Sequence, residues 1–506
     1  MIRKFQKECE STCEYILPDY LGDVKKLVST SAKAVPSGQF GNDTEVEYSG
    51  IVAYDIVYLD SENKLSAASF SSDSDFSFPV DSDKYIDTYS TPVLSNFTVR
   101  LTGPRRMIAK ANISSDVYVM ESFAPVSSGN AFSEGEGLEK ITNTVNIASA
   151  IKSEGVEREY AEEAAALEGV SADEIEVITS NAYVRISESV PVEGGVNIKG
   201  ELVVTAIIRT PDTSVFAIRR EIPFDETVSI DGALSDMSAN TDVTVSSVTF
   251  GVSENENSTV LVANVIMDLS SIVFYNESIE IISDAYLKSR DTETQYEKLK
   301  FTSHVAGETK SGSINLKIPK SELGLENIKE ILALNHDLKG LALQNDEKDA
   351  KFIGEASFSG VACEISDDGE SSISNIKFST PLTVEVNLSC QMPENSKLCA
   401  KIYPAGCEWE LDADNLSIKL WYTVAYSLGK EGVENYVSSC EIIGDTEYGK
   451  SLSTVSVYYP EENETLFDVA KKFHTTVGDI AADNMIAEPT ALGIPTKLGC
   501  KRLIIR

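Results

Sequence analysis

Polar residues alternate with apolar or β-branched ones through most of the chain, as in EVEYSGIVAYDIVY (Glu45 to Tyr58), VNIKGELVVTAII (Val196 to Ile208) and SFSGVACEI (Ser357 to Ile365). A period of two, with turn residues between runs, predicts half-buried antiparallel strands. The body is therefore expected to be mainly β.

These three stretches read as copies of one unit. Gly50, Gly200 and Gly354 each stand ahead of an alternating strand, a turn and a second strand. The turns are Asp60-Ser61-Glu62-Asn63, Pro211-Asp212-Thr213 and Asp367-Asp368-Gly369. The glycines lie 150 and 154 positions apart, a domain-sized spacing.

An apolar-acidic segment precedes each set of strands: Leu17 to Val24, Leu167 to Val177 and Leu323 to Ile328. The spacing that follows, Val24, Leu27 and Val28 or Ile328, Ile331 and Leu332, suits a helix, so a short helix is expected to cap each copy. The acidic run from Glu157 to Glu176, with Ala161, Ala164 and Ala165, also reads as a helix with a solvated charged face.

A late hairpin passes through Ala111-Asn112-Ile113 and Ala263-Asn264-Val265, with Lys419 to Val424 in the third copy. Leu138 to Lys152 parallels Tyr296 to Lys310, and the first copy reads as shortened at its start. Polar stretches at Ser127 to Asn130, Lys288 to Asp291 and Gly444 to Ser453 suggest boundaries. The expected organisation is three tandem antiparallel β-sandwich-like repeats, 1–126, 127–289 and 290–447, and a separate domain at 453–506.

That last stretch changes character. After Val455 to Tyr459, a predicted strand, Leu466, Val469, Ala470 and Phe473 make one apolar helix face, with Asn463 or Thr465 as its cap. Thr476 and Asp479 resemble a capping box opening a second helix, and Leu498 to Ile505 supplies a turn and a closing strand. The predicted order is βααβ.

Composition narrows the partners. Eighty acidic residues against 43 basic ones give a net charge of -37, which disfavours contact with nucleic-acid phosphates and anionic lipid. Residues 453–506 are nearly neutral, with seven acidic and six basic side chains, and Lys497, Lys501, Arg502 and Arg506 stand ready to meet an acidic partner. No apolar core of a signal peptide follows the charged start and no run of about 18 apolar residues occurs, so the protein is expected to stay in the compartment where it is made. The eight cysteines at 9, 13, 363, 390, 399, 407, 440 and 500 include no C-x-x-C pair and fit no zinc spacing, and read as reduced structural thiols.

The terminal stretch resembles the LysM family: Asn463-Glu464-Thr465-Leu466 stands at the family's Gly-Asp-Thr-Leu helix start, Val469-Ala470-x-x-Phe473 on its helix face, Asn484 at its second-helix end, and Gly499 to Leu503 at its last strand. Two features depart from the pattern: Asn463-Glu464 replaces Gly-Asp, and the second loop is lengthened through Ala487 to Thr490. The family binds N-acetylglucosamine-containing glycans between two loops. Carried over, these are Asn463, Glu464 and Thr465, and Asn484, Met485 and Ile486, which would meet a glycan or a protein.

The rest of the chain resembles the SPOCS-domain proteins of endospore-forming Firmicutes, through Ile16-Leu17-Pro18-Asp19-Tyr20-Leu21-Gly22-Asp23 and the hairpin Arg105 to Ala111. Members ending in LysM are coat-morphogenesis proteins of the mother-cell cytoplasm. The resemblance implies a location at the forespore surface and in the spore coat, and as partners the coat-basement ATPase (SpoIVA-like) and other coat proteins.

No residue pattern carries catalysis. His304, His336 and His474 stand in unrelated contexts, and no G-x-S-x-G, Walker A or H-E-x-x-H motif occurs. The expectation is a non-enzymatic scaffold without cofactor or metal. The alternatives are a peptidoglycan-binding protein and a cell-wall hydrolase using a carboxylate pair.

Overall fold

The computed structural model describes residues 2–41, 44–80, 85–122, 137–211, 214–254, 258–288, 290–324, 327–345, 349–365, 371–445, 455–461, 464–486 and 502–506. The turns at Asp212-Thr213 and Asp367 to Gly369, the expected boundary at Ser127 to Asn130 and most of that at Gly444 to Ser453 lie outside them.

The chain is mainly β. Its strands are β1 (Ile2–Ile16), β2 (Val24–Gly41), β3 (Glu45–Asp60), β4 (Leu65–Asp73), β5 (Phe76–Pro79), β6 (Tyr85–Gly103), β7 (Arg106–Glu121), β8 (Leu138–Lys152), β9 (Val156–Glu168), β10 (Glu176–Val192) and β11 (Gly195–Arg209). They continue with β12 (Val215–Ser229), β13 (Ser238–Glu254), β14 (Ser258–Leu287), β15 (Arg290–Pro319), β16 (Ile328–Asn345), β17 (Ala350–Ile365), β18 (Ser371–Glu385), β19 (Ser396–Leu411) and β20 (Asn415–Asp445). A one-turn helix α1 (Lys320–Leu323) ends at Gly324 in the left-handed region. Near the end come β21 (Ser456–Tyr458), α2 (Leu466–Lys472), α3 (Val477–Asp483) and β22 (Leu503–Ile505).

One strand path recurs three times. The sheets β2-β3-β4, β10-β11-β12 and β16-β17-β18 are antiparallel meanders. Each is followed by a hairpin whose second strand lies between the first and an earlier strand: β1-β7-β6, β8-β14-β13 and β15-β20-β19. In pairing register β1 corresponds to β9, and among the described residues the first copy has no counterpart of β8, in keeping with a copy shortened at its start.

Two compact units result. One comprises 1–122, 149–275 and 304–430; the other comprises 123–148, 276–303 and 431–506. In the first, β2 packs against β6, β10 against β13 and β16 against β19. The cores between them include Tyr54 with Phe97 and Ala111, Leu202 with Val265, and Phe358 with Leu420. Alternation along β3 is strict at its outset, which is why the sequence pattern predicts it well.

Single helical turns stand ahead of the second and third copies, a 3-10 turn at Ala172–Glu174 and α1, but the longer helix expected from the apolar spacing is strand. Val24, Leu27 and Val28 open β2, and Ile328, Ile331 and Leu332 open β16. The register slips between Leu27 and Ser29, between Val177 and Thr179, and between Ile331 and Ala333, leaving Val28, Ile178 and Leu332 as the extra residues of β-bulges. A bulge interrupts the period of two and leaves apolar residues three and four apart, which imitates a helix. These bulged residues enter one cluster with Val57, Ile207 and Val361, which stand seven residues after Gly50, Gly200 and Gly354.

A second register shift explains the glycines. Gly50, Gly200 and Gly354 face it from the central strand of each meander. A Cβ on Gly200 would stand 2.2 Å from the Arg185 carbonyl oxygen, and one on Gly354 2.7 Å from that of Lys339. Only glycine allows so close an approach.

The acidic stretch 157–168 is strand β9, not helix; it pairs antiparallel with β14 from Val156 to Glu168. Pairing overrides the helix preference of its Ala and Glu residues, and Glu157, Glu159, Glu162 and Glu163 are exposed, charges that suit a strand with an open face.

Candidate functional site

The second unit contains the βααβ arrangement, with β21 and β22 paired antiparallel. Leu466, Val469 and Ala470 of α2 are buried with Val477 and Ile480 of α3 and with Leu503 and Ile505. Thr465 caps α2: its hydroxyl oxygen accepts from the Asp468 amide at 3.1 Å, and Asp468 accepts in return from the Thr465 amide at 2.8 Å. Thr476 caps α3, accepting from the Asp479 amide at 2.9 Å.

This core is closed by a residue far away in sequence. Tyr286 of β14 is fully buried against Phe467, ring centroids 5.1 Å apart and edge-on, and donates its hydroxyl to the Thr475 carbonyl at 2.6 Å. Burial, with nearby Glu139, Asp284 and Asp479, pushes this phenol well above the usual tyrosine range. Around it, Lys471 pairs with Asp284 at 2.6 Å, Lys288 with Asp479 at 2.9 Å, and His474 approaches Asp291 at 3.1 Å. Burial opposes the charge on Lys471, but the Asp284 carboxylate outweighs it and the ammonium is held above its ordinary range. The Lys288 contact, with the Thr476 cap, keeps Asp479 low.

Of the six candidate binding residues, Asn463 lies outside the described residues. The Glu464 carboxylate accepts from the Tyr458 hydroxyl at 2.9 Å and from the Glu461 amide at 3.0 Å. Lys472 donates to the same hydroxyl at 2.9 Å. Asn484 ends α3 and ties it to β22: its amide nitrogen donates to the Ile480 and Ile504 carbonyls, and its oxygen accepts from the Ile504 amide at 2.7 Å. Ile486 is partly buried against the core. Met485 alone of the five points outward, 93 % exposed with a φ of 54°. No hydrogen bond links the 464–465 loop to the 484–486 loop among the described residues.

The first copy's motif loop is also anchored. The Arg105 guanidinium donates to the carbonyls of Leu17, Pro18 and Leu21, and pairs with Asp23 at 2.8 Å. Leu17 is buried, whereas Tyr20 is 85 % exposed.

Among the described residues no group of three His, Cys, Asp or Glu side chains converges as for a metal. Cys407 is buried and donates to the Leu334 carbonyl at 3.2 Å; burial pushes its thiol up to about 12. No described helix is long and apolar enough to cross a membrane.

The described residues form a mainly β chain of several antiparallel sheets with a βααβ arrangement near its end. Residues 174–253 match the family described as "SipL, SPOCS domain", so the chain carries a SPOCS domain there, which suggests a sporulation-related role. The matched stretch takes in β10, β11, β12 and nearly all of β13. No curated protein and no solved structure matches the chain.

Proposed function

We propose that this chain is a non-enzymatic scaffold of spore-coat morphogenesis, similar to the clostridial protein SipL, made of three SPOCS copies and a terminal LysM module that docks a SpoIVA-like coat-basement ATPase at the forespore surface in the mother-cell cytoplasm. The observation that carries the reading is the SPOCS match at 174–253 together with the threefold recurrence of its strand path. The stretches at the same offsets from Gly50 and Gly354 are 24–103 and 328–407, which begin at the first residues of β2 and β16.

The loop chemistry favours a protein partner over a glycan. Glu464 and Asn484 spend their polar groups inside the fold, and among the described residues of the two loops the most exposed side chain is the apolar Met485. Sugar recognition needs free polar groups, whereas an exposed thioether suits an adaptable protein contact. Several β surfaces on one chain would gather coat proteins by raising their local concentration.

Competition tests this. The full chain bound to the ATPase is challenged with soluble N-acetylglucosamine oligomers and, separately, compared with Met485→Glu. The reading expects no displacement by sugar and weaker binding of the variant; displacement by sugar would place the glycan in the loops instead.

A further inference from the structure

The three meanders enclose an unusual set of side chains. Seventeen residues before Gly50, Gly200 and Gly354 stand Lys33, Tyr183 and Asp337, one position in three copies filled by a cation, a phenol and a carboxylate. All three line one cavity of about 200 Å³ in the first unit. A cavity that size holds about six or seven waters, or one small organic molecule.

The Tyr183 hydroxyl is engaged by Asn181 and Asn335, at 3.1 and 3.3 Å. Lys33 and Asp337 are not comparably held: among the described residues neither forms a hydrogen bond or close ion pair, and Asp55 and Lys339 act on them only at longer range. Asp55, Asp242, Lys339, Tyr403 and the buried His336 complete the titratable lining, and Val93, Leu94 and Ile402 supply apolar wall. Burial draws the Lys33 ammonium below its ordinary range against the pull of Asp55, and pushes Asp337 up to about 6 against the pull of Lys339.

Both side chains are half-buried; a charge partly shielded from water without a close partner is costly, and two of opposite sign on one cavity that do not pair with each other add to that cost. A ligand with one charge would relieve one and aggravate the other. We propose that this cavity binds a small zwitterion, a free α-amino acid with an aliphatic side chain, its carboxylate against Lys33 and its ammonium against Asp337. The apolar wall takes the side chain, and three carboxylates against two lysines disfavour an acidic one. This inference does not depend on the scaffold reading.

Thermal unfolding of the full chain is followed with leucine, with 4-methylpentanoate, which lacks the ammonium, and with isoamylamine, which lacks the carboxylate. Leucine at millimolar concentration is expected to raise the midpoint by about 2 °C or more, and neither analogue to match it. Lys33→Met and Asp337→Asn should each weaken leucine binding about tenfold or more while leaving the ligand-free midpoint unchanged or higher. The proposal is overturned if leucine, valine, alanine and glycine all leave the midpoint unmoved, if 4-methylpentanoate acts as well as leucine, or if both variants lower the ligand-free midpoint.

Discussion

Val28 and Leu332, each the extra residue of a β-bulge at the head of its meander, are buried in one cluster together with Val57, Ile207 and Val361. Three copies of one strand path thus share a core at their bulges. Leu332→Ala removes buried volume from this cluster and should cost about 2–5 kcal/mol. Urea unfolding measures the loss, and amide exchange should quicken in β3 and β11 as well as in β17; quickening in β17 alone would show the copies to be independent.

Gly200→Ala should destabilise by about 1–3 kcal/mol or more, because the new methyl meets the Arg185 carbonyl oxygen at 2.2 Å and the Phe224 ring at 2.7 Å. Gly38→Ala, in the same unit with nothing within 4 Å, should be nearly neutral. Equal thermal midpoints for the two variants would contradict the close approach.

Tyr286→Phe leaves the Thr475 carbonyl without its donor and should cost the second unit about 1–3 kcal/mol. Hydrogen exchange is the readout: amides of α2 and α3 should quicken while those of β10 to β12 do not. If α2 and α3 are unaffected, the terminal elements stand without Tyr286.

Acidity acts on this fold in two directions. Asp242 and Asp337 ionise in the fold only near 6, against about 4 when unfolded. Their contribution is complete below about pH 4 and is lost as pH rises through 6. His304 and His336, lowered to about 4 by burial, contribute above about pH 6.5 and lose it on acidification. Asp337→Asn removes one member of the first pair, so its stability relative to the unsubstituted chain should be nearly unchanged near pH 4, grow as pH rises through about 6 and level off above about 7. Melts across that range check this, and a difference independent of pH would contradict it.

The strands were legible because alternation survives along β3, β11 and β17. The helix expected from Val24, Leu27 and Val28 failed because a bulge and a helix leave the same spacing of apolar residues, and only the partner strand tells them apart. At the carboxyl end, the caps Thr465 and Thr476 could be read locally, since a cap acts over three residues. Tyr286 could not, because nothing near it in sequence signals a core completed by α2. Nor could Lys33 and Asp337, which alone read as outward polar positions of alternating strands.

The most direct measurement is retention of the purified full chain on two baits, the immobilised SpoIVA-like ATPase and insoluble peptidoglycan. The full chain is required, because Tyr286 belongs to the core of the terminal elements. Retention on the ATPase and not on peptidoglycan is the predicted result. Retention on peptidoglycan alone would contradict the scaffold account and make the chain a wall-binding protein.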